Sequence, residues 1–344
     1  MSTEADAIQA AIWPVSGVTP TRVIRCRQCG QRNRVEIPVA VFSPERCRCG
    51  ACHTPLFLQP AEALSGLSAH AYEHPLDRTT LQALQAVPGF SALLRWLLSN
   101  VTERSFRLTY LSTGVQCGPE QFPELVSLLE HARTRLDVSY RPHLFLVESA
   151  TMNAMTWGVE EPIMAVYSAL LDQLEDREVQ AILGHELGHL HADHSLYRVM
   201  ANLLLHGGAS LLSGPARLLT LPLTLALLKW YRCTELTADR AGLLACGDLR
   251  ASLFVLFKLA GGNRPGTLKR TQLSLPVFIR QAKALEKQES SHWLDGILSA
   301  LLSMDTTHPF AAWRVMQLLD WVENGNYLDI LAGDYERRKV AAST

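Results

Sequence analysis

Four histidines and a glutamate stand close together in the run ILGHELGHLHADH, residues 182–194. His185 and His189 are four residues apart, so on a helix both imidazoles lie on one face, one turn apart. Such a pair can hold a single metal ion, and Glu186, next to that face, could take a proton from a water molecule at the metal. The spacing therefore indicates a catalytic metal site carried by a helix.

The residues around this motif fit the same helix. Apolar side chains recur with helical spacing before and between the two histidines, at Val179, Ile182, Leu183 and Leu187. The alternative is a surface helix whose histidines are solvated, and an apolar stripe of this kind disfavours it because the stripe must be buried. The sequence therefore predicts a partly buried metal-binding helix.

Two histidines leave a catalytic zinc site incomplete, because such a site uses three protein ligands and keeps a fourth position for water. His194 is one candidate for the third ligand, by analogy with the metzincins. That pattern requires a histidine six residues after the second one and a glycine midway, whereas this chain has Ser195 and Ala192 at those places. The metzincin arrangement is therefore disfavoured.

A pair of acidic residues further along the chain is the better candidate. The segment WYRCTELTADRAG, residues 230–242, places Glu235 and Asp239 one helical turn apart. Glu235 would complete a His-His-Glu site, and Asp239 could accept the other ring proton of a ligand histidine and so fix its tautomer. Such a pair alone is usually a solvated helix face, and it is the upstream histidine motif that favours metal binding here.

Two further segments extend the pattern beyond the metal motifs. NAMTWG, residues 153–158, precedes the histidine helix, and THPFAAWR, residues 307–314, follows the acidic pair. With the order of strand, turn and helix that begins at Glu161, these motifs resemble the HtpX-like and CAAX-prenyl-protease-like zinc metallopeptidases, which are gluzincins with HExxH and ExxxD motifs. The resemblance covers roughly residues 73–317, and its motifs occur in the family's order.

The resemblance implies a role for each matching residue of the metal site. The zinc ligands that it implies are His185, His189 and Glu235. It makes Glu186 the general base and places Asp239 behind the ligands. The fold that it implies is a mainly helical α+β domain with a small sheet.

The same resemblance implies two groups that act on the substrate. An edge strand in the first segment would pair with the peptide, with Asn153, Ala154 and Gly158 as the substrate-binding residues. His308 and Arg314 would be further catalytic residues that help to hold the substrate carbonyl or the developing oxyanion. Without the resemblance, a lone His-Pro pair is usually only a turn.

Five of the eight cysteines lie in one short stretch near the N terminus. Cys26 and Cys29 form one C-x-x-C pair, and Cys49 and Cys52 form a second pair after an interval of nineteen residues. This spacing is typical of a structural four-cysteine zinc site of the zinc-ribbon type. Cys47 is left over, because pairing it with either later cysteine gives a different spacing from that of the first pair.

Two other functions of this cysteine module are disfavoured. A redox-active C-x-x-C motif of the thioredoxin type needs a βαβ context that forty residues cannot supply. The module is rich in arginine, but Phe42 and Phe57 are its only aromatic residues that could stack on bases, which disfavours nucleic-acid binding. We interpret it as a docking element for a protein partner or as a regulatory element.

The chain is therefore predicted to have three parts and an α+β fold. Residues 20–58 form the zinc ribbon, residues 59–73 form a linker that mixes small residues with Pro and Gly, and residues 74–344 form the metallopeptidase domain. The segment PHLFLV, residues 142–147, and the apolar stretch around residues 164–166 are predicted strands, and most of the remainder is predicted to be helical.

Composition and charge limit the partners and the compartment. The chain has 32 Lys plus Arg and 33 Asp plus Glu, and a net charge of −1 predicts no non-specific attraction to nucleic acid. The N terminus carries acidic residues where a secretory signal would carry basic ones. Cysteines clustered in metal-binding C-x-x-C pairs suit a reducing compartment, so a cytoplasmic location is predicted.

One long apolar region complicates this location. Residues 199–216 carry no Asp, Glu, Lys or Arg, and a second apolar run follows at residues 218–228. Polar residues and a Ser-Gly-Pro break interrupt the first run, and the second is too short to span a bilayer. We predict buried or interfacial hairpin helices, and association with a membrane through residues 199–228 stays open.

Together these observations predict a zinc-dependent endopeptidase with one catalytic and one structural zinc ion. Its partners would be a peptide or protein substrate and, through the ribbon, a second protein. The main alternative is a non-catalytic chaperone or adaptor that uses zinc and is built on a peptidase fold. The presence of Glu186 disfavours that alternative, because only catalysis requires a general base.

Overall fold

The chain has the predicted α+β fold, with many helices and two small sheets over the described residues. The computed structural model describes residues 4–13, 19–86, 103–158, 161–195, 197–198, 215–261, 274–289 and 311–338. The helices are α1 Glu4–Ile12, α2 Ile37–Phe42, α3 Pro75–Gln85, α4 Glu103–Thr113, α5 Pro123–Arg135, α6 Ser168–Gln173, α7 Asp176–His191, α8 Pro215–Cys246, α9 Leu249–Gly261, α10 Leu275–Glu289, α11 Ala311–Glu323 and α12 Asn326–Leu331.

A four-stranded sheet lies beside helix α7. Its strands are β3 Val115–Gln116, β4 His143–Val147, β5 Ala154–Trp157 and β6 Ile163–Tyr167, in the order β3-β4-β6-β5. Strands β4 and β6 are parallel, and each outer strand is antiparallel to its neighbour. Among the described strands β5 pairs with β6 alone and so forms one edge of this sheet.

Helix α7 has a well-defined beginning, which sets the position of the histidine motif. The side chain of Glu175 caps the helix, and in return the Glu175 N–H donates to the side chain of Glu178 at 2.8 Å. Lys258 pairs with the same Glu178 carboxylate at 2.6 Å. The helix is buried over most of its length, in agreement with the predicted apolar stripe.

Helices α7 and α8 approach each other closely because glycines line their contact. A Cβ atom on Gly188 would lie 2.5 Å from the Ala241 Cβ, and one on Gly242 would lie 2.6 Å from the Ala181 carbonyl oxygen. Both distances are shorter than van der Waals contact, so a side chain at either glycine would force the helices apart. The close contact brings the histidines of α7 opposite the carboxylates of α8.

The cysteine module packs against the C-terminal part of the chain. Its strands β1 Thr21–Arg25 and β2 Arg32–Glu36 form an antiparallel pair. Arg22 forms an ion pair with Asp329, and the Leu58 N–H donates to the Leu331 carbonyl at 2.7 Å. Buried side chains of the module also belong to the hydrophobic core that surrounds α7. The ribbon and the large domain therefore share one apolar core.

Residues 59–73, predicted as a linker, pack into the large domain. Leu64, Leu67 and Tyr72 are fully buried. Arg135 donates to the Gln59 carbonyl at 2.8 Å, and Arg240 donates to the Tyr72 carbonyl at 3.2 Å. The Pro, Gly and Ser content gives the segment its turns, while its few large apolar side chains fix it to the core. The domain boundaries themselves stay a prediction.

The predicted hairpin region is only partly described. Residues 199–214 lie outside the described part of the chain, and residues 215–228 form the start of helix α8. Within the described ranges, no helix combines the length and the apolar character that a bilayer-spanning helix requires.

Candidate metal centre

Helix α7 presents His185, Glu186 and His189 in a buried position. The Nε2 atoms of the two histidines are 3.2 Å apart, which places both rings on one face of the helix as the spacing predicts. All three side chains lie in the interior, and His189 is fully buried. The three groups are therefore largely shielded from bulk water.

Glu235 on α8 completes a three-ligand set. One carboxylate oxygen lies 3.5 Å from His185 Nε2, and the other lies 3.4 Å from His189 Nε2. Zinc bonds of about 2.0–2.1 Å in a tetrahedron place neighbouring ligand atoms about 3.3 Å apart. Each Nε2 atom therefore lies near this distance from the other Nε2 atom and from one carboxylate oxygen, and the donor set of two imidazoles and a carboxylate suits zinc.

Asp239 lies behind the donor atoms and is itself held by an arginine. Its Oδ1 is 3.0 Å from His185 Nδ1, so it can accept the ring proton opposite the metal-binding nitrogen. Arg314 donates to both oxygens of Asp239, at 2.7 and 2.6 Å, and its other terminal nitrogen lies 3.2 Å from Glu235. Arg314 is buried, and its guanidinium contacts two carboxylates of α8, those of Asp239 and Glu235.

The buried charges shift the protonation of the ligand residues in opposite directions. Burial favours the neutral form of His185, but hydrogen bonds with Asp239 and Glu235 outweigh it and raise the pKa of His185 to about 9. Burial likewise favours neutral Glu235, but the neighbouring Arg198 and Arg314 hold the pKa of Glu235 well below its usual range. The carboxylate therefore stays charged, as a metal ligand must be.

Glu186 is held by the neighbouring edge strand. The Thr156 hydroxyl on β5 donates to Glu186 Oε2 at 3.0 Å. Both residues are buried, so the contact is shielded from water. Since a carboxylate accepts at both oxygens, this bond fixes one oxygen and leaves Oε1 to take part in proton transfer.

Arg198 reaches the same group of residues from beyond the end of α7. It donates to Glu235 Oε1 at 2.7 Å and to the Tyr231 hydroxyl at 3.2 Å. Its Nη1 also lies 2.6 Å from His189 Nε2. Because a guanidinium only donates, this contact uses the nitrogen lone pair that a metal would use. His189 Nε2 would therefore hold either a metal ion or the Arg198 guanidinium, and not both.

The predicted substrate-binding residues lie on and beside the edge strand β5. Ala154 begins the strand, and the Asn153 carbonyl before it accepts from the Tyr167 N–H at 3.0 Å. Gly158 follows the strand with φ of 104°, a conformation that side chains rarely adopt. His308 lies outside the part of the chain that the structure describes.

The four cysteines of the two C-x-x-C pairs form a second candidate metal site. The Sγ atoms of Cys26 and Cys52 are 3.6 Å apart, and those of Cys29 and Cys49 are 3.5 Å apart. Zinc–sulfur bonds of about 2.3 Å in a tetrahedron give a separation of about 3.8 Å. Backbone N–H groups of the knuckle lower the pKa of Cys49 to about 6, which favours its thiolate. The left-over Cys47 is not part of this group.

Two residues at the centre were not singled out from the sequence. Thr156 lies inside the NAMTWG segment. It is buried, as is Ala154 two residues before it, while the residue between them is only half-buried, so strand periodicity could have placed both on the same face. Arg198 belongs to no motif and follows α7 across a turn. Its contacts depend on how the chain returns toward α8, which no local spacing encodes.

The helix motif, the carboxylate from a second helix and the adjoining edge strand define a metallopeptidase centre of the gluzincin type. The model of peptidase family M48 matches residues 119–322. The chain belongs to this family, which confirms the predicted resemblance, and it is therefore a metallopeptidase that acts on peptides or proteins.

Named relatives agree with this family. The chain is 32% identical over 276 residues to the plastoglobule-localized metallopeptidase 48 of Arabidopsis thaliana, a match that covers 79% of this chain and 78% of the relative. It is 25% identical over 210 residues to a protease HtpX homolog of Ralstonia pickettii, covering 54% and 70% of the two chains. A shorter match of 52 residues at 38% identity, 15% of this chain and 20% of the relative, is to metalloprotease YcaL of Escherichia coli. No solved structure matches the chain.

Proposed function

We propose that the chain is a zinc-dependent endopeptidase. The observation that carries this proposal is the convergence of His185, His189 and Glu235 at tetrahedral spacing, with Glu186 beside them. A peptide that pairs along β5, the edge strand of the described sheet, can extend past both ends of that strand. The site therefore needs no substrate terminus, which favours cleavage within a chain.

In this mechanism the residues of the chain hold the substrate and move the protons. His185, His189 and Glu235 would hold a zinc ion, which would supply Lewis-acid chemistry toward the scissile carbonyl and the attacking water. Glu186 takes the proton from the attacking water and passes it to the leaving amine. The backbone around Asn153, Ala154 and Gly158 aligns the peptide along β5.

The contacts of Arg314 support a positioning role within this mechanism. Both oxygens of Asp239 accept from its guanidinium, and Glu235 lies within ion-pair distance. Arg314 would thus fix the carboxylates that orient the metal ligands and would act on the oxyanion only indirectly. The proposed contact of His308 with the oxyanion rests on the family resemblance alone.

A non-catalytic chaperone or adaptor is the alternative function. It would keep the zinc ligands for stability and would need no general base, whereas here Glu186 is buried beside the ligands and hydrogen-bonded by Thr156. A buried carboxylate without a catalytic role is costly to keep. This favours the endopeptidase over the adaptor.

A metal count and a cleavage assay on the full chain test the proposal. We expect two zinc ions per chain by native mass spectrometry and cleavage of members of a peptide library. A mild chelator should remove the open His-His-Glu ion first and abolish cleavage, because four thiolates form a closed, tighter site. Glu235→Ala should likewise leave one ion and no activity.

Two outcomes would contradict the proposal in different ways. A chain that holds both ions but cleaves no peptide favours the adaptor. A Glu235→Ala chain with full zinc content and full activity shows that the third ligand lies elsewhere.

Removing the Thr156 hydroxyl is expected to impair the general base and spare the metal. Thr156→Val keeps the shape of the side chain but loses the hydrogen bond to Glu186. Bonds to charged groups are worth about 1.5–3 kcal/mol, so we expect kcat to fall roughly tenfold to a hundredfold with zinc content unchanged. Thr156→Ser is the matched control and should retain most of the activity. Equal kcat for the valine and serine chains would show that the hydroxyl has no such role.

We also propose that the four cysteines hold a structural zinc and that the ribbon offers a docking surface to a protein partner. Arg25, Arg32 and Arg34 lie on its exposed strands and favour an acidic partner. The cysteine ligands require reduced thiols, which supports a reducing compartment such as the cytoplasm.

A further inference from the structure

A line of buried polar side chains runs from the ligand His189 to helix α3. His189 Nδ1 lies 3.1 Å from His194 Nδ1, and His194 Nε2 lies 2.9 Å from Asp77 Oδ2. The Thr237 hydroxyl donates to the same oxygen at 2.6 Å. None of the four residues is more than 2% exposed. The line is therefore closed to water, and its members depend on one another for hydrogen bonds.

The direction of each hydrogen bond in this line follows from the ligand role of His189. A metal at Nε2 requires a lone pair there, so neutral His189 carries its proton on Nδ1 and donates it to His194 Nδ1. His194 then carries its own proton on Nε2 and donates it to Asp77. Within the line each ring N–H thus meets an acceptor and the line ends on a carboxylate, while Arg198 Nη1 lies beside it, 3.2 Å from His189 Nδ1, as a second donor.

We propose that His194 and Asp77 form a positioning relay that fixes the ring and the tautomer of the zinc ligand His189. This inference rests on the proposed zinc site and deepens it. The two ligand histidines would be supported differently at Nδ1, since His185 Nδ1 meets Asp239 directly while His189 Nδ1 reaches a carboxylate through a second imidazole. Carboxylate support of this kind makes a histidine a better metal ligand.

The burial of Asp77 argues that it is kept for this purpose. No donor among the described residues reaches its Oδ1, so the carboxylate is buried with only part of its hydrogen-bonding capacity used. Such a group stabilises a fold poorly compared with an apolar side chain. Asp77 also lies before residues 119–322, so the family model does not include it. The proximity of Asp77 to the metal site is therefore known from the three-dimensional structure and not from the family model.

Zinc affinity of the full-length chain tests the relay without relying on activity. The ion of the His-His-Glu site is titrated against a chromophoric chelator, and Glu235→Ala identifies which of the bound ions belongs to that site. We expect Asp77→Asn and His194→Ala each to weaken zinc binding at this site by about 10–100-fold, with the ribbon ion unaffected. His194→Asn keeps an oxygen that can accept from His189 and should lose less than His194→Ala.

Non-additivity separates a relay from a general packing effect. Because His194→Asn already breaks the link to Asp77, adding Asp77→Asn to it should weaken binding no further. Leu84→Ala is the structural control, since it loosens the packing of α3 without touching the line. If Leu84→Ala weakens zinc binding as much as Asp77→Asn does, or if Asp77→Asn binds zinc as tightly as the parent chain, the relay is wrong. If the parent and Glu235→Ala chains hold equal zinc, the proposed zinc site itself has failed.

Discussion

Replacing Glu186 with glutamine is expected to lower kcat by at least about 10²–10⁴-fold while both metal sites keep their ions. Glutamine has the same shape and can still accept the Thr156 hydrogen bond, but it cannot take a proton. Glu186 is not one of the three donor atoms that match zinc spacing, so its loss should not change the zinc content. Native mass spectrometry and a peptide-cleavage assay on the same sample measure both quantities.

A second carboxylate on the same helix provides the control. Asp176 is exposed in the first turn of α7, and Asp176→Asn should leave kcat unchanged, with a stability loss of at most about 1 kcal/mol from the weaker helix-dipole interaction. Equal cleavage rates for the Glu186→Gln and parent chains would remove Glu186 from the mechanism. Loss of the catalytic ion in Glu186→Gln would instead make Glu186 a fourth ligand.

The metal centre could be predicted because its parts are local in sequence. His185 and His189 share one helix face at fixed spacing, and so do Glu235 and Asp239. The family resemblance then linked the two helices, and in the structure the imidazole and carboxylate donors lie 3.2–3.5 Å apart, close to the spacing that zinc requires. The two C-x-x-C pairs are local in the same sense, as each pair lies in one tight turn.

The supporting residues could not be predicted, because their contacts join distant parts of the chain. Asp77 lies more than one hundred residues before the histidine that it reaches through His194, and no periodicity marks it. Arg314 was expected from the resemblance, but its contact with Asp239 depends on how α11 packs against α8. The contact of the Thr156 hydroxyl with Glu186 could not be predicted without knowing the position of strand β5 relative to helix α7.

The same limit explains the segment 59–73. Its Pro, Gly and Ser residues predict turns correctly, but composition does not reveal whether a turn-rich segment is exposed or packed. Leu64, Leu67 and Tyr72 are too few to give a periodic pattern, yet all three are fully buried. A segment that looks like a linker in sequence thus forms part of the core.

A chain that begins at Glu73 is therefore expected to fail to fold. Its truncation removes Leu64, Leu67 and Tyr72, and the loss of each large buried side chain costs about 2–5 kcal/mol, which together approaches or exceeds the stability of a typical domain. It also removes the backbone carbonyls that accept from Arg135 and Arg240, leaving two buried guanidinium groups without those partners. We expect an insoluble or unfolded product that binds no zinc at the His-His-Glu site. Circular dichroism and metal analysis measure these two properties.

The matched comparison removes the ribbon metal and leaves the core segment in place. Cys29 is the exposed member of the four cysteines, so Cys29→Ser in the full chain should lose the ribbon ion with little loss of packing. We expect this chain to stay folded at reduced stability, to hold the His-His-Glu ion and to cleave small peptides, because the ribbon supplies no catalytic group. If instead the chain beginning at Glu73 folds, binds one zinc ion and cleaves the same peptides, the buried contacts of residues 59–72 are dispensable. The large domain would then be the independent unit that the composition of the linker predicts.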